Sequence, residues 1–85
     1  MIRPEKIESA LRAINFVLVQ ARRMAFERES YDTIANVLDV AELLPMLLVE
    51  RADTTEEFRG CLESLVEISP SFGVVLQYFD GELHT

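Results

Sequence analysis

Residues 30–51, with the sequence SYDTIANVLDVAELLPMLLVER, form the most apolar stretch of the chain and the one with the clearest start and end. At 100° per residue, the apolar side chains of this stretch cover roughly 200° of a helical wheel. A helix that packs against a single surface needs an apolar stripe of only about 100°. One neighbour cannot bury so wide an arc. We therefore predict a central helix that other helices of the chain, or a second copy, cover from two sides.

Shorter signals divide the rest of the chain into further helices. Pro4 suits a first helical position, Ser30 is a candidate N-cap, and Thr54 with Glu57 has the spacing of a capping box. These signals predict a single domain, residues 1–85, folded as an all-α, small antiparallel helical bundle with three main helices and a short C-terminal helix. The predicted helices span about 4–28, 31–51 with a kink at Pro45, 54–68 and 70–80.

Three of these assignments have alternatives. The break between the first two helices, near residues 28–31, depends on weak signals, and the alternative is one unbroken helix of unusual length. Pro45 removes one helical hydrogen bond and crowds the preceding turn, so the second helix could restart after it instead of bending. Residues 70–80 contain β-branched and aromatic residues that favour strands, but their apolar positions follow helical spacing. No second strand is visible to pair with them, so a short helix is the prediction, followed by a frayed tail at 82–85.

The first helix carries apolar residues at alternating spacings of three and four, a pattern typical of helices that pack along a seam. This repeat predicts the buried face of the helix. The seam consists of Ile7, Leu11, Ile14, Leu18, Ala21 and Ala25, widened on one side by Ala10, Val17 and Met24.

Charge is distributed unevenly along a chain with a net charge of −7. Residues 1–29 hold six basic and four acidic residues, whereas residues 30–85 hold two basic and eleven acidic ones. A net-acidic chain without a basic run repels phosphate groups, so we expect neither nucleic acid nor an anionic membrane as a partner. A single cysteine and the lack of a signal peptide or a membrane-length apolar run favour a cytoplasmic location.

Several large or charged residues of the first helix lie off its predicted buried face. Apolar residues exposed singly are common, so the bundle could simply wrap further around this helix. Aromatic residues beside arginines are also typical of protein interfaces. The candidate interface residues are Arg12, Phe16, Val19, Arg22, Arg23 and Phe26.

The central helix carries polar residues on its narrow remaining arc. This candidate acidic ridge consists of Asp32, Asn36, Asp39 and Glu42. Carboxylates on one ridge could hold a hard cation, but a solvated helix face is the more common reason for such a pattern.

Signals for catalysis and cofactor binding are nearly absent. The one histidine, His84, is second from the C-terminus, and one histidine with one cysteine cannot make a zinc site. Cys61 lies among apolar residues, which favours a buried thiol over a redox-active one. We therefore expect no catalytic residues, no metal and no cofactor, and the remaining motifs are too generic to identify a family.

Three functional hypotheses follow. The excess of apolar side chains for a small domain favours a non-catalytic protein–protein interaction module that self-associates, with a homodimer favoured and another protein as a possible partner. The acidic ridge suggests instead an acidic regulator, an inhibitor or immunity-type protein that covers a basic site on a target. The third hypothesis is a small-molecule-binding helical domain with a pocket at the Pro45 kink.

Overall fold

The computed structural model describes residues 1–81, and all of its regular elements within that range are helical. This confirms the predicted all-α bundle with three main helices and a short fourth one, and residues 70–79 are helical, not extended. The predicted tail at 82–85 lies outside this range. The helices are α1 (Ile7–Phe26), α2 (Tyr31–Val49), α3 (Thr55–Ile68) and α4 (Gly73–Phe79), with 3₁₀ turns at Pro4–Lys6 and Pro70–Phe72.

The four helices form a ring in which α1 packs on α2, α2 on α3, α3 on α4, and α4 on α1. Near the end of α1, Gln20 donates to Ser71, while at its start Lys6 donates to the Phe79 carbonyl. These two bonds join opposite ends of α1 and α4, so the two helices are antiparallel. Arg59, near the start of α3, likewise bonds Asp80 after the end of α4.

The central helix α2 is covered by α1 on one side and α3 on the other, as its wide apolar arc predicts. Val37 and Leu44 in the middle of the arc are completely buried. The edge of the arc is not covered, because Tyr31 is 88% exposed and Val49 is 78% exposed. The two neighbouring helices therefore bury the centre of the apolar arc and leave one border in solvent.

The predicted seam of α1 is only partly its buried face. Leu11 and Leu18, the two leucines of the seam, are 51% and 52% exposed, and Ala25 is exposed as well. Ala21 and the three residues that widen the seam, Ala10, Val17 and Met24, are buried as predicted. Leu11, Leu18 and Ala25 are exposed because the line of closest packing lies towards the widened side of the seam. The buried residues of α1 are Ala10, Ala13, Val17, Ala21 and Met24.

The N-terminus is bonded to the connection between α2 and α3. Ile2 is buried, and the amide of Arg3 donates to the Thr55 hydroxyl at 2.9 Å. The Met1 amino group bonds the Ala52 carbonyl, and the Thr54 amide donates to the Met1 carbonyl at 3.4 Å. Residues more than fifty positions apart thus form one junction at the base of the bundle.

The predicted helix caps have different outcomes. Ser30 caps α2 as predicted, since its hydroxyl accepts from the Thr33 amide at 3.1 Å. The capping box at Thr54 is wrong, because the Thr54 hydroxyl donates backwards to the Leu47 carbonyl in the last turn of α2. The carboxylate of Asp53 instead caps the start of α3, where it accepts a hydrogen bond from the Thr55 amide at 2.9 Å.

Arg28 ends α1 in a left-handed conformation, with φ of 58°. The Glu29 amide donates to the Met24 carbonyl and the Arg28 amide to the Ala25 carbonyl, which is the bond pattern of a Schellman motif. Glycine usually occupies this position because it lacks a Cβ. The turn between α1 and α2 is therefore sharp and carries backbone strain at Arg28.

The helix α2 continues through Pro45 to Val49, so the alternative of a helix that restarts after the proline is wrong. The bend expected at Pro45 stays a prediction. Among residues 1–81, no helix combines the length and the apolarity needed to cross a bilayer.

Candidate interaction surface

An open groove of about 550 Å³ lies between α1 and α4. Its walls are mostly apolar because α1 presents Phe16 and Val19 there and α4 presents Val74. Val19 and Val74 are each a little more than half exposed, so the groove is open to solvent. The lining residues are Leu11, Arg12, Ala13, Asn15, Phe16, Val19, Val74, Val75 and Tyr78.

The charged group of the groove already has a partner. Arg12 donates to the Glu8 carboxylate one turn earlier, with nitrogen–oxygen distances of 3.0 and 3.2 Å. Both side chains are largely exposed, so the pair is solvated and weakly held. The groove therefore offers apolar contact surface with one arginine at its border, an arrangement suited to binding and not to acid–base chemistry.

The structure brings together three of the six candidate interface residues. Arg12, Phe16 and Val19 line the groove, and Phe16 is partly buried because it also packs against the core. Phe26 is 79% exposed near the end of α1. Arg22 and Arg23 are exposed on the same helix but do not line the groove.

Sequence reasoning missed the α4 wall of this groove. Val74 and Tyr78 are spaced by four, so they share a face of α4 that differs from the buried face of Phe72 and Phe79. That spacing was available in the sequence. It could not indicate the groove without the knowledge that α4 packs against α1.

The acidic ridge lies on the solvent side of α2. Asp32, Asn36, Asp39 and Glu42 are all exposed. In the described part of the chain, no three carboxylate, histidine or cysteine side chains come close enough together to hold a metal ion. The ridge is thus a solvated face that remains accessible to a basic partner.

A second set of exposed apolar residues lies on α1 and α2. Leu18 of α1 is half exposed, while Tyr31, Met46 and Val49 of α2 are between 64% and 88% exposed. Of the eleven large exposed hydrophobic residues within residues 1–81, nine belong to these two helices, whereas α3 contributes none. Within residues 1–81, the large exposed apolar side chains are therefore concentrated on these two helices.

The remaining reactive groups give no sign of activation. Cys61 is partly buried, and this burial raises the pKa of its thiol, which keeps it protonated and weakly nucleophilic. Every buried polar side-chain atom within residues 1–81 has a hydrogen-bond partner. His84 lies outside the described residues.

Known proteins offer no guide to these surfaces, since no family model, curated protein or solved structure matches the chain. A functional assignment therefore depends on the residues themselves. Three surfaces are accessible to a partner: the groove between α1 and α4, the exposed apolar residues of α1 and α2, and the acidic ridge of α2.

Proposed function

We propose that this chain is a non-catalytic protein–protein interaction module that associates with a second copy of itself. The observation that carries the proposal is the concentration of large exposed apolar side chains on α1 and α2. Contact with a second copy removes such surface from water, at a gain of roughly 25 cal/mol per Å². The favoured assembly is a homodimer in the cytoplasm.

Mass measurement over a range of concentrations tests this proposal. Sedimentation equilibrium and light scattering at micromolar concentration should give twice the chain mass of 9.7 kDa. The dimer should persist in high salt, since apolar contacts are nearly insensitive to ionic strength. A mass of one chain at every concentration up to the millimolar range would contradict the proposal.

The groove between α1 and α4 favours a second function, the binding of a small apolar molecule. Its volume of about 550 Å³ lies within the range of roughly 300 to 1,000 Å³ that is usual for ligand sites. This groove is not the pocket expected at Pro45, since none of its lining residues belongs to α2. Here Arg12 and Tyr78 would orient the ligand.

A fluorescent apolar probe such as anilinonaphthalene sulfonate tests the second function. Its fluorescence should rise on binding, and Val74→Glu should abolish the rise because it introduces a charge into the groove. The matched control is Leu43→Glu, which changes a similarly exposed residue outside the groove. Equal binding by both variants would exclude the groove as the site.

The acidic regulator remains an alternative because the ridge of α2 is exposed. A complex held by Asp32, Asp39 and Glu42 with a basic target should weaken steeply as salt is raised. Affinity capture at low and high salt separates this behaviour from apolar self-association. A partner that the wild type captures at low salt but loses at high salt would favour the regulator, provided that the Asp39→Asn, Glu42→Gln double variant does not capture it at either salt concentration.

A further inference from the structure

One line of residues on the outer side of α1 has alternating spacings of four and three. Because these spacings average 3.5 residues, the line stays on one side of the helix for about four turns. Its first three residues line the groove between α1 and α4, and the next two are exposed. We call this line the groove stripe; it consists of Arg12, Phe16, Val19, Arg23 and Phe26.

The groove stripe continues past the end of the groove. Gln20 donates to Ser71 at 3.1 Å, and Ser71 comes just before α4, so α4 begins level with Gln20. Because α1 and α4 are antiparallel, Arg23 and Phe26 lie beyond the start of α4. Phe26 is 79% exposed there. A partner that lies in the groove and follows α1 would therefore also meet the Arg23 guanidinium and the Phe26 ring.

Charge around the groove stripe is of one sign. Arg12 and Arg23 lie about 16 Å apart along the helix axis, on either side of Phe16 and Val19. The opposite wall, α4, contains no charged residue. Glu8 is the one acidic residue of α1, and its exposed pair with Arg12 is solvated. In the part of the chain that the structure describes, Arg23 forms no ion pair.

The shape of the site favours a helical partner. A groove between two helices, with alternating spacings of four and three on one wall, fits the side chains of a third helix laid along it. Phe16 and Val19 on one wall and Val74 on the other provide the apolar contact. The two arginines then lie near the two ends of that contact.

Charge distinguishes between possible partners. Two groove stripes in contact would bring four arginines together with no acidic residue from either stripe, and charges that lose water without a partner are costly. Two arginines on a chain with a net charge of −7 are also too few to hold a phosphate backbone. The complementary partner is a segment with carboxylates on both sides of an apolar centre.

We propose that the groove stripe binds an amphipathic helix of another protein that is apolar at its centre and acidic at both ends. The apolar side chains of this helix lie on Phe16, Val19 and Val74. Its carboxylates pair with Arg23 and with Arg12, where they compete with Glu8. This partner extends the interaction module proposed above, and its binding does not depend on self-association, since one chain contains the whole stripe.

Three synthetic peptides test the charge of the partner by fluorescence anisotropy. All carry the same fluorophore and the same leucines at alternating spacings of four and three, flanked at both ends by glutamates, by glutamines or by lysines. At low salt the glutamate peptide should bind roughly tenfold more tightly than the glutamine peptide, and the lysine peptide should bind most weakly. The advantage of the glutamate peptide should disappear at high salt.

Two results with these peptides would overturn the inference. The first is a glutamate peptide that does not bind at millimolar concentration. The second is a glutamine peptide that binds as tightly as the glutamate peptide at low salt.

An arginine substitution tests the basic end of the stripe. Arg23→Gln should weaken binding of the glutamate peptide by about threefold to fivefold and leave the glutamine peptide unaffected. The matched control is Arg51→Gln, which removes the same charge from an exposed position between α2 and α3. Equal losses in the two variants would show a general charge effect and overturn the role of Arg23.

A charge placed in the groove tests the apolar contact. Val74→Glu should weaken both the glutamate and the glutamine peptide by about tenfold or more. Leu43→Glu, which adds the same charge at a similarly exposed position of α2, should have little effect. Circular dichroism should show unchanged helicity, because both side chains are about half exposed. Peptide binding that survives Val74→Glu would overturn the groove as the site.

Further outcomes separate this inference from self-association and from other occupants. Peptide binding to a chain that sediments as a monomer would support the groove stripe and contradict only self-association. A wild-type dimer that dissociates in both Arg23→Gln and Val74→Glu would overturn the inference and assign the stripe to a second copy. A single-stranded oligonucleotide of equal charge that binds more tightly than the glutamate peptide would overturn it in favour of nucleic acid.

Discussion

Two sides of this molecule are stabilised in different ways. The α3–α4 side encloses aromatic rings, with Phe58 and Phe79 stacked at a centroid distance of 5.2 Å, and a two-bond ion pair closes it. On the α1–α2 side, the inner face of α1 is mostly alanine, and the larger Leu11 and Leu18 lie half exposed. The first side is complete within one chain. The second leaves its large side chains available for an external contact.

The largest expected effect concerns the aromatic core. Phe58→Ala should lower the free energy of unfolding by about 3–5 kcal/mol, because it leaves a cavity against Phe79. Leu18→Ala on the α1–α2 side should change it by about 0.5 kcal/mol or less in the monomer. Urea denaturation at concentrations below the dimer dissociation constant measures both. Similar losses for the two variants would show that the sides do not differ in this way.

The ion pair of the α3–α4 side should contribute less than its rings. The two hydrogen bonds and the charge of Asp80 raise the pKa of Arg59 above its ordinary value, so the arginine stays charged. Arg59→Ala should lower the melting temperature by a few degrees, and adding Asp80→Ala should lower it little further. A thermal double-mutant cycle measures this coupling. If the two losses were additive, the pair would not act as a unit.

Arg28, between α1 and α2, offers a change in the stabilising direction. Arg28→Gly should raise the free energy of unfolding by roughly 0.5–1 kcal/mol, because glycine adopts the left-handed conformation without strain. Arg28→Ala controls for the lost charge. Glu27→Gly controls for added flexibility and should destabilise the protein, because Glu27 has an ordinary φ of −81°. Chemical denaturation compares the three. A stabilising Arg28→Ala would assign the gain to charge and not to the backbone.

The smallest effect is expected from the cap of α3. Hydrogen bonds from the hydroxyl and amide of Thr55 lower the pKa of Asp53 below its ordinary value of 3.8. The stabilisation is therefore present above pH 3.8 and lost as the pH falls through the lowered pKa. Unfolding of the wild type and Asp53→Asn between pH 2 and pH 7 measures it. The wild type should lose its higher free energy of unfolding at acidic pH. A difference in free energy between the two proteins that stays constant with pH would contradict this cap.

The sequence predicts the helices well because their signals are local. Ser30 could be predicted as an N-cap because its own hydroxyl forms the capping bond. The wide apolar arc of α2 correctly predicted two neighbouring helices. Which part of an apolar helix face becomes buried depends on the neighbouring helices. The predicted seam of α1 therefore included two leucines that are exposed in the structure. Thr54 bonds Leu47 for a similar reason, since a hydroxyl that can cap α3 can also reach the end of α2.

The candidate site was predicted in part. Phe16 and Val19 belong to the α1–α4 groove, but its second wall requires the long-range packing of α4 on α1. Leu11 and Leu18 were predicted to be buried but are half exposed, for a physical reason. A seven-residue repeat indicates that a helix has a partner, and it does not distinguish a partner in the same chain from one in another.

The junction at Thr54 couples distant segments of the chain. Its amide bonds the first residue, and its hydroxyl bonds the last turn of α2, while the neighbouring Thr55 accepts from Arg3. Detachment of the N-terminus would therefore uncover the start of α3 and the end of α2 in the same event. Amide protons at these three places should exchange with solvent at a common rate, as one cooperative opening unit.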